Sequence, residues 1–459
     1  MTSLRAQKGS DDMVGENFRS WLEAWEKRGW LTRIPKAVDP KYVLGAITKK
    51  LGKEKAVFFE QVSGYAVPLV TNFFFSRKAL ATALTTEEKN LIPSFRAAME
   101  KPRACEIVGS APFQENVLTR NFNLLKLFPI PTYHERDAGP YITGGVVIAK
   151  DPETGIRNAS IHRIRVFEDG VTSLLILPRH LNLCLQKCVQ MKRPLEVGVA
   201  IGVDPFTLLA SQAILPFAVD ELEVANAMRS SFSLKLAQCA TVDVEVPVDS
   251  EIVLEGIIDP SQTRLEGPFG EFPRYYSPQA PRPTFNLKAI CHRKDPLFFS
   301  ILPAGREHLL LGAIPREASL LADVQRAVPS AQAVHLTYGG TCRYHLIISL
   351  AKKNEGEART AMLAAMANNA DIKHVVVVDE DIDIFDMEQV EWAIATRFQG
   401  DRDLLIIPQI QTSLLDPSSA GGIGTKLGID ATAPVGSLQE SFKPIAIPGY
   451  GKVNWEDYL

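Results

Sequence analysis

The segment Arg264-Leu265-Glu266-Gly267-Pro268-Phe269-Gly270-Glu271-Phe272-Pro273-Arg274-Tyr275-Tyr276 decides how the chain is read. Two carboxylates stand five residues apart around Gly-Pro-Phe-Gly. Proline and two glycines exclude a helix and impose a turn, which could aim both acids at one cavity. A neighbouring arginine could keep one acid ionised while burial raises the proton affinity of the other, giving an anchor and a proton donor. From spacing alone, the same letters also describe a polar surface turn with two solvated glutamates. A glycosidase carboxylate pair is a third reading, but the aromatic and aspartate richness of a sugar cleft is absent.

On both sides of this turn, residues 115–320 read as short β-rich runs separated by turn residues, among them YITGGVVIAKD, NASIHRIRVFEDG, LEVGVAIGVDP and TFNLKAICHRKDPLFFSIL. Regular short strands predict an antiparallel barrel or sandwich. Two helical interludes interrupt it, HLNLCLQKCVQMK and FAVDELEVANAMRSSF. Residues 1–114 form an N-terminal α/β unit. Phe18, Trp21, Leu22 and Trp25 recur at helical spacing, and Asp39-Pro40 is expected to open a second helix. Residues 321–459 return to alternating strands and helices. There HVVVVD suits a strand buried on both faces, and an extended tail follows. The fold class is therefore mixed α/β and β.

The string EGPFGEF followed by YY resembles the signature of UbiD-type decarboxylases. The resemblance runs in order over nearly the whole chain. It implies a central split β-barrel that binds flavin, a C-terminal α/β oligomerisation domain, and a catalytic triad of Arg163, Glu266 and Glu271. The run Asn158-Ala-Ser160-Ile161-His162-Arg163 is similar to the family's Asn-x-Ser-x-x-Arg element. On an ideal strand Asn158 and Arg163 face opposite sides, so a bulge or turn must intervene if both serve one site. In Pro178-Arg179-His180 the histidine resembles a metal ligand, although Arg179 stands where some members carry glutamine. Glu221 matches the third ligand, with Glu223 as a nearby alternative on another helix face. Asn158, His180 and Glu221 would hold Mn2+ or Mg2+. Ala210, Ser211 and Ala213, with Glu221, resemble a potassium loop. Lys373 resembles a lysine that reaches the cofactor phosphate. A solvated lysine before a buried strand is the alternative.

The same resemblance implies prenylated FMN as the electron-accepting cofactor, because a carbanion left on an unsaturated carbon has no stabilising orbital. It also implies a flavin prenyltransferase (UbiX-type) as supplier and a homodimer or homohexamer. The reaction implied is reversible decarboxylation of an aromatic, heteroaromatic or α,β-unsaturated acid. His308 and Arg316 fall where relatives line the substrate pocket, and similar positions occur in the furan and pyrrole carboxylate branch. An FMN-dependent oxidoreductase is the rival reading, but it leaves Glu266 and Glu271 without a role.

Composition agrees with a globular enzyme: 459 residues, 46% hydrophobic, 22% charged, net charge −3. With 50 basic against 53 acidic residues, nothing points to nucleic acid or an anionic membrane. Six cysteines without CxxC spacing, no apolar leader and no long apolar run predict a cytoplasmic protein with reduced thiols. Cys184 and Cys188, four apart, are expected to be packing residues.

Overall fold

A computed structural model describes residues 15–229, 232–439, 441–449 and 452–459. The chain divides into two compact units, Met1–Ser319 and Leu320–Leu459. Among the described residues no helix is long and apolar enough to cross a membrane.

The first unit begins with the helix Phe18–Lys27, capped by the Asn17 side chain on Ser20 N. Its helical stripe buries Phe18, Trp21, Leu22 and Trp25, as the spacing predicts. Each such side chain contributes roughly 1.5–3 kcal/mol on leaving water. A small sheet follows in the order Leu31–Ile34, Ala56–Phe59, Leu69–Thr71, Phe298–Phe299. Its last strand comes from beyond the barrel. The second helix starts at Val43, not at Asp39-Pro40. The Asp39 carboxylate is used one turn early, accepting from Lys41 N at 2.7 Å.

The nine-stranded central sheet has the order Tyr141–Ile142, Ile164–Val166, Thr172–Leu174, Ala280–His292, Ile252–Glu266, Leu195–Ile201, Gly145–Lys150, Arg157–Ile161, with Asn116–Leu118 pairing on Ala280–His292. The path is open, yet each edge strand is joined by a short connection to the strand next to the opposite edge. Only Thr143-Gly144 joins Ile142 to Gly145, and only His162-Arg163 joins Ile161 to Ile164. Three Cα steps span at most about 10 Å, so the sheet must curl until its edges nearly meet. This is a split barrel. Arg163 stands in the split.

Buried charges fasten the helix Arg306–Ala327 to the N-terminal elements. Arg77 Nη1 donates to Glu317 Oε2 at 2.7 Å, and the two side chains are 9% and 0% exposed. Arg77→Ala deprives a buried carboxylate of this cation and is expected to cost about 3–5 kcal/mol, measured by denaturant unfolding; a loss under 1 kcal/mol would contradict it. Glu307 is also buried, and its Oε1 accepts from Phe74 N at 3.0 Å. Burial pushes its carboxyl from 4.5 up to about 8. The folded state therefore holds a proton that the unfolded chain releases. Stability should fall as pH rises from about 4.5 to about 8. Glu307→Gln should flatten that slope in unfolding curves across this range, and an unchanged slope would remove Glu307 as its source.

In the second unit a five-stranded sheet runs Ala331–Leu336, His345–Leu350, His374–Asp379, Ile423–Ala431, Leu404–Gln411. Residues 375–379 of the HVVVVD strand are buried, as expected, and Val376 and Val378 pack with Ile347, Ile382, Val390 and Ala431. The acids that follow act locally. Asp379 and Asp381 bind Arg397, and Asp386 caps the helix Met387–Arg397.

Candidate active site

Glu266 is the final residue of the long strand Ile252–Glu266. The chain then turns through Gly267, whose φ of +88° favours glycine. Phe269–Gly270 pairs with Tyr276–Ser277 as a short hairpin, and Glu271 follows directly. Gly270 has no room for a side chain, since a Cβ there would lie 2.5 Å from the His134 ring. Its N–H is fixed by Asp137 Oδ1 at 2.8 Å.

The guanidinium in the barrel split meets both acids. Arg163 Nε and Nη2 donate to Glu266 Oε1 and Oε2 at 2.9 and 2.8 Å, a bidentate pair, and Nη1 donates to Glu271 Oε1. Nη1 also donates to Ser277 Oγ at 3.0 Å, and the guanidinium lies 4.7 Å from the Phe269 ring centroid. Glu266 is fully buried. Burial raises the proton affinity of Glu271, with Arg163 opposing and Glu266 adding to it. One cation among two desolvated acids leaves a surplus negative charge, most cheaply neutralised by keeping one proton. Glu266 takes the bidentate contact, and burial favours the protonated form of Glu271. Tyr141, whose OH accepts from Gly267 N at 3.2 Å, is likewise pushed up by burial and then by Glu266.

A second cluster forms before the split. Glu221, 3% exposed, opens the helix Glu221–Ala227 behind the Asp220 cap. Its Oε2 accepts from Ala159 N at 2.9 Å, and Oε1 accepts from Asn158 Nδ2 at 3.0 Å. His180 Nδ1, at the start of the helix His180–Gln190, stands 3.6 Å from the same Oε1. The structure thus brings Asn158, His180 and Glu221 together. The backbone carbonyl of Glu223, two positions along, accepts from Arg103 N. Ser160 Oγ lies 2.9 Å from His162 Nε2 and 3.3 Å from Asn158 Oδ1. His162 Nδ1 is 2.9 Å from the Leu175 carbonyl, which can only accept, so Nδ1 bears the proton and Nε2 is an acceptor. Burial lowers this imidazole to about 4 and keeps it neutral.

Ile161 ends its strand, and Pro178 and Arg179 are exposed before His180. Ala210 closes the helix Pro205–Ala210, which packs on Glu221–Ala227, with Ser211 as its C-cap and Ala213 N bonded to Ala210 O. His308 and Arg316 sit eight residues apart on the helix Arg306–Ala327. His308 Nδ1 accepts from Ala304 N, and Arg316 Nη1 donates to Gly312 O. Lys373, in the second unit, donates to Asp416 Oδ2 at 2.7 Å and to Ser418 Oγ. Cys184 and Cys188 are buried packing residues. Sequence reading missed Ser277, Asp137 and Tyr141.

Comparison with known proteins places the chain in a family. Residues 106–306 match the 3-octaprenyl-4-hydroxybenzoate carboxy-lyase Rift-related domain, residues 22–99 its N-terminal domain and residues 309–431 its C-terminal domain. The chain is 41% identical to the anhydromevalonate phosphate decarboxylase of Methanothermobacter thermautotrophicus over 82% of this chain and 87% of that one. It is 48% identical to the UbiD-class enzyme HmfF from Pelotomaculum thermopropionicum in complex with FMN, with a TM-score of 0.95 over 97% of this chain and all of that one. An evolved dimeric form of HmfF in complex with prFMN matches at 46% identity and a TM-score of 0.91, over 97% and 100% of the two chains. With all three domains matched in order, the chain belongs to the UbiD family of prenylated-FMN decarboxylases.

Proposed function

We propose that this chain reversibly decarboxylates a heteroaromatic acid of the furan or pyrrole type, with Glu271 as proton donor. The observation that carries this reading is one guanidinium, Arg163, held between a fully buried acid and a second acid whose proton affinity burial raises. Prenylated FMN supplies the electron sink when bound. Glu266 locks Arg163 by bidentate pairing, so the cation cannot swing away. Arg163 attracts the substrate carboxylate and orients Glu271. As the carboxylate leaves as CO2, the Glu271 proton takes its place on carbon and solvent restores it. In carboxylation the same acid accepts the proton.

The donor set at Glu221 fits a cation that ties a flavin phosphate to the protein. An amide, an imidazole and a carboxylate in mutual contact suit Mn2+ or Mg2+. Asn158, His180 and Glu221 would hold it, with Ser160, Ile161, His162, Pro178 and Arg179 lining the cofactor and Lys373 reaching its phosphate. Ala210, Ser211 and Ala213, with Glu221, would hold K+. His308 and Arg316 would bind a ring heteroatom or a second carboxylate. A cytoplasmic homodimer or homohexamer served by a flavin prenyltransferase completes the reading.

The test is co-expression with a flavin prenyltransferase, mass analysis of the released flavin, and CO2 release from furan-2-carboxylate, furan-2,5-dicarboxylate, pyrrole-2-carboxylate, cinnamate and anhydromevalonate phosphate. Turnover of the five-membered rings is expected, with Arg316→Ala impairing the dicarboxylate most. Turnover of anhydromevalonate phosphate alone would overturn the substrate class. Nicotinamide oxidation on unmodified FMN without CO2 release would favour an oxidoreductase.

A further inference from the structure

We infer that Ser277 is a positioning residue for proton transfer: it holds one Nη1 hydrogen of Arg163 so that only the other meets Glu271. This rests on Glu271 being the proton donor. Ser277 is 6% exposed and sits directly opposite Phe269 in the short hairpin. Its hydroxyl hydrogen is committed, because Oγ donates to the Phe269 carbonyl at 3.2 Å. A lone pair is thereby turned to Arg163 Nη1 at 3.0 Å. Nε and Nη2 are engaged by Glu266, so Nη1 is shared between Ser277 and Glu271 alone among the bonds described. The Phe269 ring lies against the guanidinium and is itself packed on Tyr141, with centroids 4.5 Å apart. The cation is thus held by a ring on its face, a carboxylate on one edge and a hydroxyl on the other.

The hydroxyl matters because it absorbs part of the field of Nη1. Without it a buried N–H of a cation loses an acceptor, and its attraction falls on Glu271 alone. Glu271 would then be held as a carboxylate and would be a poorer donor. The other groups around Glu271 do not compensate. Glu266 is held through both oxygens by Arg163, and Tyr141 hydrogen-bonds to Glu266. His134 and Asp137 pack over the neighbouring Gly270, and Arg274 meets Glu271 through a backbone bond, its N–H on the Glu271 carbonyl.

The experiment measures kcat and KM against pH for Ser277→Ala and Ser277→Thr holoenzymes at matched flavin content, with furan-2-carboxylate as substrate. A donor must be protonated to work, so activity fails on the alkaline side. A weaker hold on the proton moves that limb to lower pH. Ser277→Ala is expected to shift it by about one unit and lower neutral-pH kcat about tenfold, with KM unchanged, as fits loss of one hydrogen bond to a charged group. Ser277→Thr should restore the limb. A Ser277→Ala profile superimposable on wild type would overturn the inference, as would a kcat loss with the limb unmoved. Glu271→Gln run in parallel separates the failures. Full turnover there removes the proton-donor reading itself. Loss there beside a wild-type Ser277→Ala profile removes only the role of Ser277.

Discussion

Replacing Glu271 with glutamine is expected to lower kcat by roughly 10²- to 10⁴-fold, the range for removing a general acid, while the protein stays folded and flavin-loaded. Glutamine matches the volume and charge of the protonated acid and keeps an oxygen for Arg163 Nη1. Binding and folding should therefore be spared and only the transferable proton lost. The effect is read as turnover per bound flavin, with decarboxylation in D2O following label at the vacated carbon. Wild-type turnover in this variant would remove Glu271 from the chemistry.

Glu221→Ala should fail in the opposite way. Glu221 joins Ala159 N, Asn158 Nδ2 and the neighbourhood of His180 Nδ1, so its loss strips two buried donors of their acceptor. It also takes the only anion from the proposed ligand trio. Metal affinity is expected to drop at least 10- to 100-fold, and the flavin should be lost with it. Flavin absorbance and elemental analysis of the purified protein check this. Asn158→Ala should show the same loss more mildly. Full occupancy in both would refute the ligand assignment. The two families of variant therefore separate chemistry from cofactor retention: one loaded and inactive, the other empty.

Much of this was legible because the chain states it locally. Phe18, Trp21, Leu22 and Trp25 announce their helix by spacing, and 375–379 announces a buried strand by its unbroken apolar run. The EGPFGEF turn is equally local, with one strand ending at Glu266 and a hairpin holding Glu271. The odd separation of Asn158 and Arg163 demanded a break between them. That break is the barrel split at His162-Arg163. What stayed hidden depends on partners far away in sequence. Ser277 bonds Arg163 across 114 positions and Asp137 bonds Gly270 across 133, distances at which no periodicity or spacing rule speaks. The start of the second helix was misread for a related reason. Asp39-Pro40 has cap chemistry, but its carboxylate closes a turn on Lys41, which itself bridges to Thr132, and the helix begins only at Val43.

A crystal structure of the protein loaded with prenylated FMN tests the central claim most directly. Arg163 should stand between Glu266 and Glu271, with the Glu271 carboxyl facing the flavin ring system and Asn158, His180 and Glu221 around a cation at its phosphate. A flavin bound away from Arg163 and Glu271, or a Glu271 turned out to solvent in the loaded protein, would contradict it.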